Sequence, residues 1–163
     1  MTDTLKSICE QCTNLQTPSL NFIPDELSLN REIIRRDISQ LLLAASVESD
    51  KAVLLLAGAL FEAILYSFLK SQERFISQRK GNGFTLKLEE GLQYFKDTFN
   101  RWFSDVIPNV KLPDSIVDYR NLVHFHNELE FASSTPDVCA QAARALLLTL
   151  NNLVGGLTDY ARN

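Results

Sequence analysis

One short stretch, "DYRNLVHFHNELE" at residues 118–130, collects the side chains best suited to chemistry. It holds both histidines of the chain, His124 and His126, shortly after Arg120 and Asn121. Histidine titrates near neutral pH and can accept or donate a proton, and arginine presents a planar fork of N–H donors that matches phosphate oxygens. Asparagine can hydrogen-bond a phosphate or fix the tautomer of a histidine ring. These groups suit metal-independent cleavage of a phosphodiester, which requires a base, an acid and a cation for the charge on phosphorus.

The spacing of these residues leaves two alternatives for the histidine. In a continuous α-helix, Arg120 and His124 are four residues apart and share a face, whereas His126 lies about 120° further round. A break in the helix after Val123 would allow His126 to return to the side of Arg120. An arginine and a histidine at this spacing are also common on ordinary helix surfaces, so the motif alone favours side chains with no catalytic role.

The composition is that of a soluble globular protein, with 45% hydrophobic and 22% charged residues in a chain of 163, and this length suits one domain. The net charge of -4 gives no general attraction for nucleic acid or for an anionic membrane, so an RNA partner would need a local basic patch. Arg31, Arg35 and Arg36 are candidates for RNA binding, although charged helix faces are also ordinary solvated surface. The N-terminus lacks the charged-then-apolar order of a signal peptide, which predicts a cytoplasmic protein.

The cysteine pattern indicates a reducing environment. The chain has three cysteines, Cys9, Cys12 and Cys139, and an odd number without a secretory signal argues against a disulfide framework. Cys9 and Cys12 form a single C-x-x-C pair, which is half of a four-ligand zinc site, so zinc would require two chains to share one ion. The alternative is two small residues on a helical turn. We therefore expect no metal and no other cofactor within the chain.

The hydrophobic pattern predicts an all-α fold. Apolar residues recur at the 3.6-residue helical spacing and period-2 alternation is scarce, which predicts a bundle of about five helices. Residues 1–27 are expected to form an N-terminal segment with a short helix and a connector that contains two prolines, and residues 28–163 the helical domain. "GNG" at residues 81–83 is predicted to end a helix. The glycine pair at residues 155–156 is predicted to stop or bend the last helix.

The most apolar segment, residues 52–69, is long enough to be considered as a membrane span. Glu62 lies in its middle and no other segment resembles a span, so we interpret it as the long, fully buried central helix of a soluble bundle without a membrane partner. A carboxylate at such a position must find a partner or become protonated. Arg120 is the predicted partner of Glu62, and another basic residue or a water is the alternative.

Two stretches resemble the HEPN superfamily, the small α-helical domains of bacterial toxins, defence proteins and RNA-processing enzymes. "DYRNLVHFHNEL" is similar to the family signature, in which an arginine and a polar residue precede a histidine, and "DKAVLLLAGALFEAILYSFL" is similar to the family's long central helix. The resemblance covers roughly residues 29–157. It implies that Arg120 is the motif arginine and Asn121 the polar residue after it. His126 fits the usual family spacing and His124 a tighter variant, with His126 narrowly favoured.

The resemblance implies a function as well as a fold. It implies a metal-independent endoribonuclease of toxin or defence type, in which the 2'-hydroxyl of RNA attacks the adjacent phosphate, and a homodimer in which the two motifs face one another. An antitoxin or another defence-system protein is an expected partner, and Glu62 and Tyr119 are expected to lie beside the catalytic residues and orient them. In one group of these toxins a tyrosine follows the histidine by two residues. Neither histidine of this chain has a tyrosine at that position. The alternative is a non-catalytic HEPN-like interaction or nucleotide-binding module within a defence or regulatory assembly.

Overall fold

The computed structural model describes residues 4–124, 127–129 and 137–163, and the regular structure in these residues is helical, without strands. The predicted all-α class is confirmed. Short 3-10 turns lie at Asp25–Leu27, Leu88–Glu90 and Asn121–Val123. The α-helices are α1 (Leu5–Gln11), α2 (Thr13–Gln16), α3 (Ser28–Ser46), α4 (Asp50–Ser71), α5 (Glu73–Lys80), α6 (Leu92–Phe103), α7 (Ser115–Arg120) and α8 (Val138–Arg162).

Helix α4 forms the centre of the bundle, with α3, α6, α7 and α8 packed around it. It runs antiparallel to α3, since Asn30 near the start of α3 donates a hydrogen bond to Ser67 near the end of α4 at 3.1 Å. It runs parallel to α8, because the rings of Phe68 and Tyr160, both near the ends of their helices, lie 5.7 Å apart. The buried apolar side chains of α4 are distributed among these four neighbours.

The prediction that residues 52–69 are fully buried is wrong for one face of α4. The helix is long and apolar enough to cross a membrane, and 61% of its most apolar window is buried inside the bundle, as in the core helix of a soluble protein. Leu55, however, remains 60% exposed, and Ala59 is exposed as well. These two residues lie one helical turn apart on a face that the other described helices leave uncovered.

The N-terminal segment contributes to the same hydrophobic core as the rest of the chain. Leu5, Leu15 and Ile23 are buried in it. The Glu48 carboxylate, just after α3, accepts hydrogen bonds from the backbone N–H groups of Leu5 and Lys6 at 2.9 and 3.0 Å. These hydrogen bonds satisfy donors at the start of α1 and lower the pKa of Glu48.

The glycine pair does not end the last helix, so the predicted stop at residues 155–156 is wrong. Helix α8 continues through both residues to Arg162. A Cβ at Gly155 would lie 2.4 Å from the Asn14 side-chain nitrogen, and one at Gly156 would lie 2.2 Å from a methyl group of Val110. The glycines therefore allow neighbouring segments to pack close to α8, which compensates for their poor helix propensity. By contrast, Gly81 ends α5 with a left-handed φ of 87°, as predicted.

Helix α7 has only six residues and is held in place by contacts from distant parts of the chain. Lys96 of α6 is 1% exposed, and its ammonium group pairs with Asp114, directly before α7, and with Asp97 at 2.9 Å. Burial alone would lower the pKa of Lys96, but the hydrogen bonds to both carboxylates raise it above its ordinary value. Ile116 and Leu122 are each 1% exposed and anchor the segment in the core.

Candidate functional site

The Arg120 side chain lies across α4 and is positioned by two residues of that helix. Its aliphatic part packs against Gly58, where an added Cβ would lie only 2.2 Å from Arg120 Cγ. Its Nη1 donates a hydrogen bond to Glu62 Oε1 at 2.6 Å. Gly58 and Glu62 are four residues apart and share one face of α4, so one helical turn provides both the space and the negative charge. The predicted pairing of Glu62 with Arg120 is confirmed.

This ion pair is at the surface rather than in the core. The Arg120 and Glu62 side chains are 33% and 36% exposed. The Arg120 Nε is buried and has no hydrogen-bond partner among the described residues, although one-third of the side chain as a whole is exposed. A guanidinium has five N–H donors, and those not directed at Glu62 can donate hydrogen bonds to phosphate oxygens.

The backbone stays helical for three residues after Arg120 and then becomes extended. Helix α7 ends at Arg120, a 3-10 turn spans Asn121–Val123, and His124 is extended, with φ -85° and ψ 126°. The geometry of an unbroken helix, in which Arg120 and His124 would share a face, therefore does not apply. The backbone leaves the helical conformation after Val123, which is the break that would allow His126 to return to the side of Arg120. His126 itself lies outside the described residues, and His124 is exposed at the surface.

The residues that follow are tied back to this turn. Asn127 Nδ2 donates a hydrogen bond to the Asn121 carbonyl at 3.1 Å. The backbone N–H groups of Asn127 and Glu128 both donate to the His124 carbonyl at 3.1 Å. The backbone on either side of residues 125–126 is thus connected by hydrogen bonds.

Glu128 attaches this segment to the starts of two helices. Its carboxylate pairs with Lys51 of α4 at 2.9 Å and accepts a hydrogen bond from the Cys139 thiol of α8 at 2.9 Å. The hydrogen bond from Cys139, followed by that from Lys51, lowers the pKa of Glu128. Burial and then the hydrogen bond to Glu128 raise the pKa of the Cys139 thiol to about 11. The thiol is therefore protonated at neutral pH, which is the state needed for donation to the carboxylate.

The other predicted site residues have different surroundings. Tyr119 is half-buried and packs against the core, and no hydrogen bond joins its hydroxyl to Arg120 or Glu62 in the described part of the chain. Arg31 pairs with Asp25 at 3.0 Å and donates to a backbone carbonyl of the connector at 2.9 Å. Arg35 is exposed on α3, and Arg36 pairs with the adjacent aspartate at 2.9 Å. Arg31 thus holds the connector to α3 rather than extending toward Arg120.

The two N-terminal cysteines do not form an accessible pair. Cys9 and Cys12 are 5% and 0% exposed, and the Cys12 thiol points at the carbonyl of Leu147, 3.9 Å away. Burial, and then the nearby Cys9, raise the pKa of Cys12 to about 11. Zinc shared between two chains through these thiols does not fit this arrangement, because buried thiols cannot reach a second copy. Among the described residues, no group of three or more possible ligands could hold a metal ion.

Sequence reasoning missed two features of the site. The first is Gly58, which could have been recognised from the sequence as a glycine inside an otherwise strongly helical segment. The second is a groove of about 450 Å³ that borders Glu62 and includes Tyr66 in its wall. Its signal was the recurrence of Ala59, Glu62 and Tyr66 at helical spacing, which marks one face of α4.

No family model, curated protein or solved structure matches the chain. The resemblance to the HEPN superfamily therefore stays a prediction that rests on the motif around Arg120 and on the pattern of the central helix.

Proposed function

We propose that this protein is a cytoplasmic, metal-independent endoribonuclease of HEPN type that acts as a toxin or a defence nuclease. The observation that carries the proposal is the position of Arg120. Its guanidinium is held by Glu62 at 2.6 Å, its side chain is one-third exposed, and it lies beside the turn that leads to both histidines. A cation fixed at the surface next to groups that titrate near neutral pH suits phosphodiester cleavage.

In the proposed reaction, a histidine removes the proton from the 2'-hydroxyl of the substrate. The 2'-oxygen then forms a bond to the adjacent phosphorus, and the bond from phosphorus to the 5'-oxygen of the next nucleotide breaks. A second histidine gives a proton to that leaving oxygen, so the products are a cyclic phosphate and a free 5'-hydroxyl. Arg120 stabilises the extra negative charge on the phosphoryl oxygens, and Glu62 orients the guanidinium. Asn121 is proposed to bind a phosphate oxygen or to fix a histidine ring.

The proposal includes a homodimer. Leu55, Ala59 and Glu62 share one face of α4, and the apolar part of this face is exposed next to the ion pair with Arg120. A second copy that covers Leu55, which does not line the groove beside Glu62, would bury this surface and bring the two Arg120 residues close together. Pairing would double the number of histidines near the scissile bond, which suits a reaction with two proton transfers.

The test is incubation of purified wild type and Arg120→Ala with mixed RNAs in EDTA, followed by end-group analysis. We expect the wild type to release cyclic phosphates without added metal, a 2'-deoxy substitution at the cut to block cleavage, and Arg120→Ala to be inactive but folded. Arg74→Ala is the matched control, since Arg74 is exposed on α5, and it should cleave like the wild type. Separate replacement of His124 and His126 should identify the base, with His126 expected to matter more.

The same experiment separates the alternative function. The pairing of Arg120 with Glu62 also favours a structural role for the arginine, which is what a non-catalytic interaction module within a defence or regulatory assembly would need. Cleavage that requires magnesium, or that survives the loss of both histidine rings, would contradict the nuclease. Unfolding of Arg120→Ala without any RNA cleavage by the wild type would favour the interaction module.

A further inference from the structure

A groove of about 450 Å³ lies on the opposite side of Glu62 from the bulk of α7 and opens between α3, α4 and the start of α6. This volume is within the range of about 300–1,000 Å³ that is usual for small-ligand sites. Because Glu62 lines the groove and also holds Arg120, a ligand in the groove would be next to any phosphate bound by the guanidinium. The residues that matter for its chemistry are Asn30, Ile33, Glu62, Tyr66, Ser67 and Phe95.

One wall of the groove is an aromatic ring that is already fixed. Tyr66 packs on Phe95 with ring centroids 5.9 Å apart and an interplanar angle of 55°. Phe95 is only 2% exposed, so it cannot move away from Tyr66 without disturbing the core. The Tyr66 hydroxyl makes no hydrogen bond with the described residues. A fixed aromatic side chain at an open groove is a suitable stacking surface for a nucleobase.

The polar groups of the groove are mainly acceptors. The Ser67 hydroxyl donates its proton to the Ala63 carbonyl at 2.7 Å and accepts a hydrogen bond from Asn30 Nδ2 at 3.1 Å. This contact fixes the orientation of the Asn30 amide and leaves its Oδ1 as an acceptor. At Glu62, Oε1 receives Arg120, and Oε2 is the second acceptor. Two acceptors beside a ring match a base whose edge carries N–H donors, and guanine has two such groups on its pairing edge.

We propose that this groove is the subsite for a guanine base of the RNA strand whose phosphate is held by Arg120. The base stacks on Tyr66, and its N–H groups donate to Glu62 Oε2 and Asn30 Oδ1. This inference rests on the proposed function, since it extends the substrate from the phosphate to a neighbouring base. It predicts that a single carboxylate, Glu62, couples base recognition to the position of Arg120.

The test is calorimetric titration with two ligands that share a phosphate, guanosine 5'-monophosphate and ribose 5-phosphate. We expect the wild type to bind the nucleotide about tenfold more tightly than the sugar phosphate, because base–aromatic stacking adds affinity only to the nucleotide. Tyr66→Ala should remove this difference. Tyr94→Ala is the matched control, since Tyr94 also packs on Phe95, at 5.7 Å, but does not line the groove. It should keep the difference, and thermal unfolding monitors the fold of both variants.

Equal affinity of the wild type for both ligands, or a difference that persists in Tyr66→Ala, would overturn the inference. The measurement does not depend on RNA cleavage. A nucleotide preference that is lost in Tyr66→Ala, in a protein that cleaves no RNA, would therefore support the groove and reject the nuclease. RNA cleavage in EDTA without a nucleotide preference would reject the groove alone.

Discussion

At the scale of single residues, the position of Arg120 depends on one glycine and one glutamate. Gly58 leaves room for the aliphatic part of the side chain, and Glu62 binds its charged end. Surface ion pairs contribute only about 0–1 kcal/mol to stability, so the pair of Glu62 and Arg120 is better suited to orienting the guanidinium than to stabilising the fold. The steric contribution of Gly58 is the larger one and can be measured directly.

We predict that Gly58→Ala lowers the free energy of unfolding by about 1–3 kcal/mol. The new Cβ would meet Arg120 Cγ at 2.2 Å and displace it, which outweighs the gain in helix propensity of about 1 kcal/mol. Gly83→Ala is the control, since an added Cβ there would contact nothing within 4 Å, and it should change stability little. Urea unfolding measures both variants. A Gly58→Ala protein as stable as the wild type would show that Arg120 is not confined by this contact.

We predict that Glu128→Gln makes the stability of the protein less dependent on pH in the acid range. The hydrogen bond from Cys139 and the contact with Lys51 lower the pKa of Glu128. Its stabilising effect is therefore complete above the ordinary carboxyl pKa of about 4.3 and is lost as the pH falls through the lower value in the folded protein. Urea unfolding at several pH values should show the wild type more stable than Glu128→Gln at pH 7, with a difference that shrinks in acid. A difference that is constant across this range would mean that ionisation of Glu128 is not involved.

At the scale of helices, close packing accounts for a short helix and for two interior glycines that helix propensity alone would disfavour. Helix α7 has six residues, which is too short for a helix to be stable in isolation. It is kept in place by the pairing of buried Lys96 with Asp114 and by the burial of Ile116. Helix α8 contains two glycines in its interior because Asn14 and Val110 pack against its backbone.

We predict that Gly156→Ala destabilises the protein more than Gly155→Ala does. A Cβ at residue 156 would lie 2.2 Å from the Cγ2 of Val110, a buried, β-branched side chain with little freedom to move. The Cβ at residue 155 would meet the end of the longer Asn14 side chain, which can rotate away at the cost of its 3.2 Å hydrogen bond to the Asn151 carbonyl. We expect Gly156→Ala to lose about 1–3 kcal/mol. Thermal unfolding of the two variants compares them, and the reverse order would show that this account of α8 is wrong.

At the scale of the whole molecule, the bundle leaves an apolar face uncovered near the candidate site. Leu55 is 60% exposed there, and Ala59, one helical turn further along α4, is exposed as well. Exposed apolar surface next to a candidate site suits an interaction surface. Its position beside Glu62 is the reason for proposing that a second copy covers it.

We predict that the wild type is a dimer in solution and that Leu55→Glu is a monomer. A carboxylate at the centre of a buried apolar interface would be unpaired and costly to desolvate. Val106→Glu is the control, because Val106 is an exposed apolar residue at the opposite end of the bundle, near Val110 and the C-terminal half of α8. Sedimentation equilibrium measures the mass of each protein. A wild-type monomer, or a Leu55→Glu dimer, would contradict this interface.

The sequence by itself determined the features that depend on short-range spacing. The 3.6-residue pattern predicted an all-α fold, "GNG" predicted the end of α5 at Gly81, and the apolar surroundings of Glu62 predicted a basic partner that proved to be Arg120. Each of these follows from local conformational preference or from the cost of leaving a carboxylate unpaired. Whether the chain cleaves RNA and whether it dimerises stay predictions.

Only the tertiary structure decided how distant segments share space. It ended α7 at Arg120, left Leu55 exposed on α4, and buried Cys12 out of reach of a second chain. It also gave Gly58 and Gly156 their packing roles. A spacing pattern gives the faces of a helix but not the neighbours that cover them, because those contacts join residues far apart in the chain and depend on how all the helices pack together.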